Sequence, residues 1–178
     1  SWSNLLKGRS GIASITKFDA SAFPARIAGE VRSLDVSTYL SGKEIRRMDS
    51  FIHFGMIAGI QAFKDSGLTV TEESAYRIGV NIGSGIGGLP MIEETHRDYM
   101  EGGHRKISPF FIPGTIINMI SVNLSIMLGA KGPNLSVVTA CTTGLHAIGL
   151  SSRLIECGDA DVMICGGAEA TVTPLAVG

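Results

Sequence analysis

The part of this sequence that most constrains its fold lies between residues 136 and 149. Residues 136–139, Ser-Val-Val-Thr, form a β-branched run that is typical of a buried strand. After Ala140 and Cys141, residues 142–149 carry small side chains and place apolar ones at helical spacing. The sequence therefore predicts a buried strand that turns directly into a helix, with Cys141 at the corner.

Cys141 has two interpretations at such a corner. The free N–H groups and the positive end of the following helix favour a thiolate over a thiol. The arrangement resembles a nucleophile elbow, in which a strand-to-helix turn raises a nucleophile above a sheet. A buried structural thiol fits equally well, because free cysteine is among the most buried residue types. The local pattern leaves both interpretations open.

The composition favours an α/β protein and excludes several other classes. The 178 residues are 44% hydrophobic and include 23 glycines, which suits one domain, or part of a larger one, around a buried sheet. A net charge of −1 gives no global attraction to nucleic acid or a membrane, so neither is expected as a partner. The odd cysteine count, without framework spacing, predicts a reduced, cytoplasmic setting. No signal peptide or membrane-spanning segment is expected.

Two further segments predict strands of a layered α/β fold. Residues 77–82 alternate in polarity and run into the glycine-rich residues 83–88, with a helix expected over about residues 90–100. Residues 161–165 predict a buried strand that ends in Gly-Gly-Ala-Glu at 166–169. The helix after Cys141 is expected to reach Glu156 and to stop at Gly158. With that stretch, this second strand completes a βαβ unit with a parallel crossover.

Helices are predicted on either side of these strands. Ser41 caps a helix over residues 43–66 that ends at Gly67. Gly55 and Gly59 within it indicate close packing against another backbone. Its apolar stripe predicts core residues Met48, Phe51, Ile52, Met56, Ile60 and Phe63.

Prolines and a short apolar run define the remaining segments. Pro109 and Pro113 predict an extended segment at residues 110–112, because a residue before proline avoids the helical region. A helix is then expected from Pro113 to about residue 128. A short strand is expected near residues 28–31.

Residues 83–88, Gly-Ser-Gly-Ile-Gly-Gly, fit the G-x-G-x-x-G pattern of a dinucleotide site. Such a site uses glycines to approach a pyrophosphate at a helix N-terminus. The position about twenty residues on, where that site wants an acid, falls in residues 106–109, which contain none. The alternative is a tight turn that brings the backbone close to another element.

Histidines and basic residues give weaker indications. The four histidines and three cysteines show no metal-site spacing, so no metal is expected. His146 follows Cys141 by five positions, which on a helix points it away from the thiol, so a packed or capped core histidine is predicted. Basic residues cluster at Lys43, Arg46 and Arg47 and at His104, Arg105 and Lys106; these are solvated faces or a docking patch for an acidic partner.

Taken together, four segments resemble the elongating, type II β-ketoacyl-[acyl-carrier-protein] synthases, condensing enzymes of the thiolase superfamily. They are Thr-Ala-Cys-Thr-Thr-Gly at 139–144, the glycine turn at 83–88, Ile-Ser-Pro-Phe-Phe at 107–111, and Gly-Asp-Ala-Asp at 158–161 leading to 166–169. The resemblance extends over essentially the whole chain. Polyketide ketosynthase domains share the plan, and Cys141 stands where decarboxylase-like relatives carry glutamine.

The resemblance implies a thiolase-like α/β fold, in which two similar halves stack as a five-layer αβαβα sandwich and the protein is a homodimer. It implies that Cys141 takes an acyl chain from acyl carrier protein as a thioester, its own backbone N–H helping to bind the oxyanion. Decarboxylative Claisen condensation with malonyl carrier protein then elongates the fatty acid, without metal or organic cofactor.

The resemblance also assigns roles to residues around Cys141. Ile86 matches a gate of the acyl pocket, which Ala140 also lines, and Phe111 with Ile112 matches a segment that closes the pocket of the partner subunit. The basic residues that match the carrier-protein docking surface are Lys43, Arg46, Arg47, Arg105 and Lys106.

Residues 1–178 are expected to be the N-terminal half of such a synthase, without its first strand. The family takes two histidines, a lysine and a gating phenylalanine from a C-terminal half, so this chain alone is expected not to condense. The alternatives left open are a polyketide-type ketosynthase piece, a non-catalytic dimerising module and a nucleotide-binding α/β domain.

Overall fold

The computed structural model describes residues 2–178 and divides them into two units. The smaller unit consists of residues 2–35 and 171–178, and the larger one of residues 36–170. No helix in the described part of the chain is both long enough and apolar enough to cross a membrane.

The smaller unit is built on an antiparallel pair of short strands. Strand β1 (Ile12–Ser14) pairs with β2 (Ile27–Gly29), Ala13 lying opposite Ala28. Helix α1 (Trp2–Leu6) precedes the pair, and the last helix of the chain, α8 (Pro174–Val177), belongs to the same unit. The strand expected near residues 28–31 is confirmed as β2, with its start one residue earlier.

A parallel three-stranded sheet forms the centre of the larger unit. Its order is β4 (Asn134–Leu135), β3 (Ile78–Gly83), β5 (Val162–Gly167), so the central strand comes first in the sequence. The helices of this unit are α2 (Gly42–Ile45), α3 (Ser50–Asp65), α4 (Leu89–Gly102), α5 (Phe111–Thr115), α6 (Met119–Leu128) and α7 (Thr143–Glu156).

The two faces of β3 contact different helices because side chains alternate along a strand. Val80 and Ile82 join the hydrophobic core that α3 and α6 supply. Between them, the amide of Asn81 donates to the Ala147 carbonyl of α7 at 3.1 Å. The sheet therefore lies between α3 and α6 on one face and α7 on the other.

The predicted core stripe is confirmed. Met48, Phe51, Ile52 and Met56 are buried, while Ile60 and Phe63 pack against them partly buried. The two helix glycines also pack closely, as expected, since a Cβ on Gly55 would collide with Ile120 and one on Gly59 with Leu124. The contact is with side chains of α6 rather than with its backbone.

The predicted βαβ unit is confirmed. Its two strands are β4 and β5, and β3 lies between them in the sheet. Strands β4 and β5 both run parallel to β3, and α7 connects them across it. Helix α7 reaches Glu156 as predicted, and Gly158 after it has a positive φ of 82°. Strand β3 and helix α4 likewise lie within two residues of their predicted bounds.

The single helix predicted over residues 43–66 is wrong. Ser41 does cap a helix, in a capping box with Glu44, but this helix ends at Ile45. Asp49 then caps the separate helix α3 by accepting the N–H of Phe51, and its own N–H donates to the Gly114 carbonyl at 3.1 Å. These tertiary contacts at the break outweigh the continuous helical periodicity.

The extended segment at 110–112 and the single helix from Pro113 are also wrong. Phe111 and Ile112 begin the short helix α5, in which Pro113 occupies the first turn, where its missing N–H is not needed. The chain leaves the helical region at Ile116 (ψ 142°), and α6 begins at Met119.

The strand predicted over residues 136–139 is shorter, earlier and more exposed than expected. Strand β4 comprises only Asn134–Leu135, both exposed, at the edge of the sheet. Beyond it the backbone of Ile82 is bound by serine side chains: its N–H donates to Ser121 Oγ at 2.9 Å, and its carbonyl accepts from Ser136 Oγ at 3.0 Å. These hydroxyls replace the ladder that a longer strand would form.

His53 places a buried imidazole on α3. Its Nε2 has no hydrogen-bond partner among the residues that the structure describes. Burial lowers the pKa of this imidazole from its ordinary value of 6.5, and a hydrogen bond to the Ile45 backbone opposes the shift only in part. The folded chain therefore favours neutral His53.

We expect the free energy of unfolding to fall as pH drops below about 6.5, because the unfolded chain then binds a proton that folded His53 resists. His53→Leu should remove this component and flatten the dependence between pH 5 and 7. Urea unfolding at several pH values measures it. Ile57→Val is the matched control, since it trims a buried side chain of α3 but keeps the histidine; an equal slope in His53→Leu and the control would contradict the prediction.

Candidate active site

Cys141 lies in an exposed, strained turn in front of helix α7. The turn, Ala140–Thr142, is a single 3-10 turn between the end of the sheet and Thr143. Ala140 has a φ of +52°, which a residue with a side chain rarely adopts. Strain at the residue before an exposed thiol is typical of a nucleophile elbow, and a buried structural thiol does not fit.

Threonine side chains hold this turn in place. The N–H of Thr139 donates to Thr143 Oγ1 at 2.9 Å, and the carbonyl of Thr139 accepts the hydroxyl of Thr142 at 2.7 Å. On the same residue, Thr139 Oγ1 lies 2.8 Å from His146 Nδ1. His146 is therefore within hydrogen-bonding distance of Thr139, but it is exposed, so its predicted placement in the core was wrong.

Small residues let the start of α7 approach the ends of two strands. Gly144 of α7 faces Gly167 at the end of β5. A Cβ added to Gly167 would lie 3.1 Å from the Cα of Gly144. At the end of β3, a Cβ on Gly83 would lie 2.5 Å from Thr143 Cγ2. The buried Asn81 fixes the next turn of α7 through Ala147, as described above. The Cys141 turn thus lies at the edge of the sheet where the carboxyl ends of β3 and β5 meet.

The glycine turn after β3 lies beside Ala140. A Cβ on Gly85 would be 3.5 Å from Ala140 Cα and 3.0 Å from Glu169 Oε2. The Glu169 carboxylate accepts three hydrogen bonds from this turn: from Ser84 Oγ at 2.9 Å, from Gly85 N at 2.8 Å and from Ile86 N at 3.0 Å. A side chain of the protein itself therefore binds the backbone N–H groups of Gly85 and Ile86.

The predicted pocket residues lie around this turn. Ile86 is 53% exposed, and Ala140 is exposed beside it. On the other side, the N–H of Gly88 donates to the Thr115 carbonyl at 3.0 Å, which joins the turn to α5. The segment that is predicted to close the partner's pocket lies in α5, with Phe111 half-buried and Ile112 57% exposed.

The first basic cluster contacts the segment that follows the second one in the sequence. The Arg47 guanidinium carbon lies 3.9 Å from the centre of the Phe110 ring, four residues after Lys106. Lys106 packs against Gly102 at the end of α4. A Cβ added to Gly102 would lie 2.7 Å from Cγ of Lys106. The other docking residues of the prediction are exposed: Lys43, Arg46 and Arg105.

Two acidic residues, Glu169 and Asp49, organise this region although no role is predicted for them from the sequence. Glu169 was recognised only as part of a motif, and nothing local signals its contacts across more than eighty positions. Asp49 is buried, and its Oδ2 accepts the N–H of Met91 near the start of α4 at 2.8 Å. Burial raises the pKa of Asp49 against the opposing effect of these N–H donors, and the charge of Glu169 adds to the rise. The sequence does contain a signal for Asp49, because an Asp-Ser pair before an apolar run is typical of a helix N-cap.

Within residues 2–178, no three His, Cys, Asp or Glu side chains lie close enough to hold a metal ion. Against known families, the model described as "Beta-ketoacyl synthase, N-terminal domain" matches residues 1–178. This chain belongs to the β-ketoacyl synthase family. Membership, together with the carboxylate in the glycine turn, overturns the nucleotide-binding alternative.

Similar proteins agree with the family and the fold. The 3-oxoacyl-[acyl-carrier-protein] synthase 2 of Vibrio cholerae is 58% identical over 175 residues, 98% of this chain and 42% of that protein. The ishigamide ketosynthase/chain length factor has a TM-score of 0.82 at 25% identity, over 98% of this chain and 44% of its own. A type II polyketide ketosynthase bound to its acyl-carrier protein and a hexaketide has a TM-score of 0.75 at 26% identity, over 83% and 42% of the two chains.

These neighbours confirm the predicted thiolase-like α/β fold class. The chain spans less than half the length of the relatives it matches. We use the term elbow for the strained turn that carries Cys141, together with the glycine turn beside it and the helix start behind it.

Thr143→Val tests what holds the elbow. The isosteric change removes the acceptor of the Thr139 N–H at a buried position, which should destabilise the fold by about 1–2 kcal/mol. Urea unfolding and amide exchange at Thr139 measure this. Thr142→Val, at an exposed hydroxyl that water can replace, should cost clearly less. Equal losses in the two variants would show that Thr143 has no special role.

Proposed function

We propose that this chain is the nucleophile-bearing part of a 3-oxoacyl-[acyl-carrier-protein] synthase of fatty acid elongation, with Cys141 as the nucleophile. The observation that carries the proposal is the exposed thiol on a strained turn at the start of α7. The relatives at 45–58% identity are synthases of this name, whereas the polyketide ketosynthase is only 26% identical. Fatty acid elongation is therefore preferred to polyketide synthesis.

The first half-reaction uses groups that the chain itself provides. The Cys141 thiolate attacks the carbonyl carbon of an acyl-carrier thioester, and a tetrahedral oxyanion forms. The backbone N–H of Cys141, at the entry to α7, donates to this oxyanion. Collapse of the intermediate breaks the bond to the carrier sulfur, which leaves as a thiolate and takes up a proton. The acyl chain remains on Cys141 as a thioester.

The second half-reaction requires groups from elsewhere. Malonyl carrier protein loses carbon dioxide to give an enolate, whose carbon attacks the carbonyl carbon of the acyl thioester. The bond to the Cys141 sulfur then breaks, Cys141 is released as a thiolate, and the 3-oxoacyl chain remains on the carrier protein. The developing enolate oxygen needs hydrogen-bond donors in a water-poor site. By the family resemblance, these are histidines of a C-terminal half. We infer that this chain accepts an acyl group but does not condense it.

The acyl pocket is assigned to the surroundings of the glycine turn. Ile86 and Ala140 line it beside the thiol, because Gly85 brings their two backbones together. In a homodimer, Phe111 and Ile112 would close the pocket of the partner subunit. The hydrogen bond from Gly88 of the glycine turn to Thr115 of α5 supports the proposal that the gate at Ile86 and the segment at Phe111 and Ile112 move together.

Acyl carrier protein, in its acyl and malonyl forms, is the proposed partner. Its docking surface consists of Lys43, Arg46, Arg47, Arg105 and Lys106. The contact of Arg47 with Phe110 supports a continuous surface, because it ties the first cluster to the segment that follows the second. Such a surface attracts an acidic protein mainly by raising its rate of association.

Acyl transfer can be tested by mass spectrometry of the chain after incubation with a carrier protein that bears a saturated acyl thioester. We expect the acyl mass on the peptide of Cys141 and none on that of Cys157, an exposed thiol at the far end of α7. Cys141→Ala should remove the label. Later addition of malonyl carrier protein should yield no 3-oxoacyl product.

Absence of label, or equal label on Cys157, would contradict the proposed nucleophile and favour a non-catalytic dimerising module. A 3-oxoacyl product from this chain would contradict the need for a second half.

Charge reversal tests the docking surface. Arg46→Glu and Arg105→Glu should each weaken carrier-protein binding about tenfold at low salt, and added salt should shrink the difference. Titration calorimetry measures the affinity. Lys64→Glu is the matched control, at the C-terminal end of α3 about 20 Å from its start. Equal weakening by the control would show that the attraction is unspecific.

A further inference from the structure

Glu169 forms the most concentrated set of polar contacts next to the elbow. It follows β5 directly, while the glycine turn follows β3, and the two strands are parallel neighbours with Gly83 opposite Gly167. Parallel pairing therefore brings the side chain of one strand end over the backbone of the other. The residue as a whole is exposed, so the contacts of its carboxylate are not a consequence of burial.

The turn presents donors arranged for an anion. Two successive N–H groups, of Gly85 and Ile86, point at one carboxylate oxygen, and the Ser84 hydroxyl donates to the other. Ser84 is itself fully buried and also accepts the N–H of Gly87 at 3.1 Å. Successive backbone N–H groups in a turn form an anion-binding concavity, and hydrogen bonds to a charged acceptor are stronger than neutral ones.

We propose that Glu169 is a positioning residue whose carboxylate permanently fills the anion nest of the glycine turn and thereby fixes Ile86 and the Ala140–Cys141 peptide. The nest is the donor set Ser84, Gly85 and Ile86. The effect on Cys141 passes through Gly85, because a Cβ there would lie 3.0 Å from Glu169 Oε2 and at ordinary contact distance, 3.5 Å, from Ala140 Cα.

The opposite side of the turn is anchored independently. The N–H of Gly88 donates to the Thr115 carbonyl, and a Cβ on Gly88 would lie 2.7 Å from Thr115 Cα. Without the carboxylate, the turn would stay attached at Gly88 and become free at Gly85 and Ile86. The empty nest would then accept a small anion from solution.

Chemical rescue tests the proposal in the full chain. In Glu169→Ala, amide exchange at Gly85 and Ile86 should accelerate by about tenfold or more, since each loses a charge-assisted hydrogen bond. Alkylation of Cys141 by iodoacetamide should change relative to Cys157, the internal reference. Formate should reverse both effects in a saturable way, whereas formamide, which has nearly the same shape but no charge, should not.

Glu94→Ala is the matched control, because it removes an exposed carboxylate from α4. It should leave exchange and alkylation unchanged with or without formate. Unaltered exchange in Glu169→Ala, equal rescue by formamide, or no rescue at all would each overturn the proposal.

Glu169→Gln decides the matter if the alanine variant does not fold. The amide keeps the volume and one acceptor oxygen of the carboxylate but removes its charge. Amide exchange at Gly85 and Ile86 should therefore accelerate less than in Glu169→Ala. Behaviour identical to the unmodified chain would overturn an anion nest.

This proposal rests on the proposed function only in treating Cys141 as the nucleophile. Amide exchange involves no acyl substrate, whereas acyl transfer is read from the mass of the Cys141 peptide. Failure of one measurement therefore leaves the other interpretable.

Discussion

The parallel pairing of β3 with β5 is the interaction on which the rest of this structure depends. It sets Gly83 opposite Gly167, so both strands end at one edge of the sheet. The glycine turn, the carboxylate that fills it and the start of α7 all converge there. A shift of β3 by one residue in this register would move Asn81 from the α7 face to the core face. Val80 would leave the core, because side chains alternate along a strand. The register of two strands thus determines the geometry around Cys141.

The exposed apolar surface of the larger unit fits the proposed role as one part of a larger site. On α7, Leu145 is 70% and Ile148 51% exposed, and Leu135 on the edge strand β4 is exposed as well. Apolar side chains on a helix and on an unpaired strand edge mark surfaces that other polypeptide covers. In the proposed synthase, this cover would be the second half or the partner subunit, and the condensing groups would come from the second half.

Much of the fold could be predicted because periodicity and punctuation are local. Strand β3, helix α4 and the end of α7 at Gly158 lie close to their predicted positions. Two of the errors, the undivided helix over residues 43–66 and the strand over residues 136–139, share one cause, which is a polar contact from a distant segment. Asp49 divides a periodic helix by binding two helix starts, and Ser121 and Ser136 end the ladder at Ile82. Periodicity cannot register such contacts, since their partners lie tens of residues away.

By itself, the sequence determined the class of the fold, the core stripe of α3 and the cysteine at the corner, because each follows from neighbouring residues. Its motifs also identified the family. Only the tertiary structure decided that the glycine turn binds a carboxylate of the protein instead of a nucleotide, and that Ala140 is strained beside an exposed thiol. The physical reason is that Glu169 and Gly85 are separated by 84 positions and meet only when parallel strands align their ends.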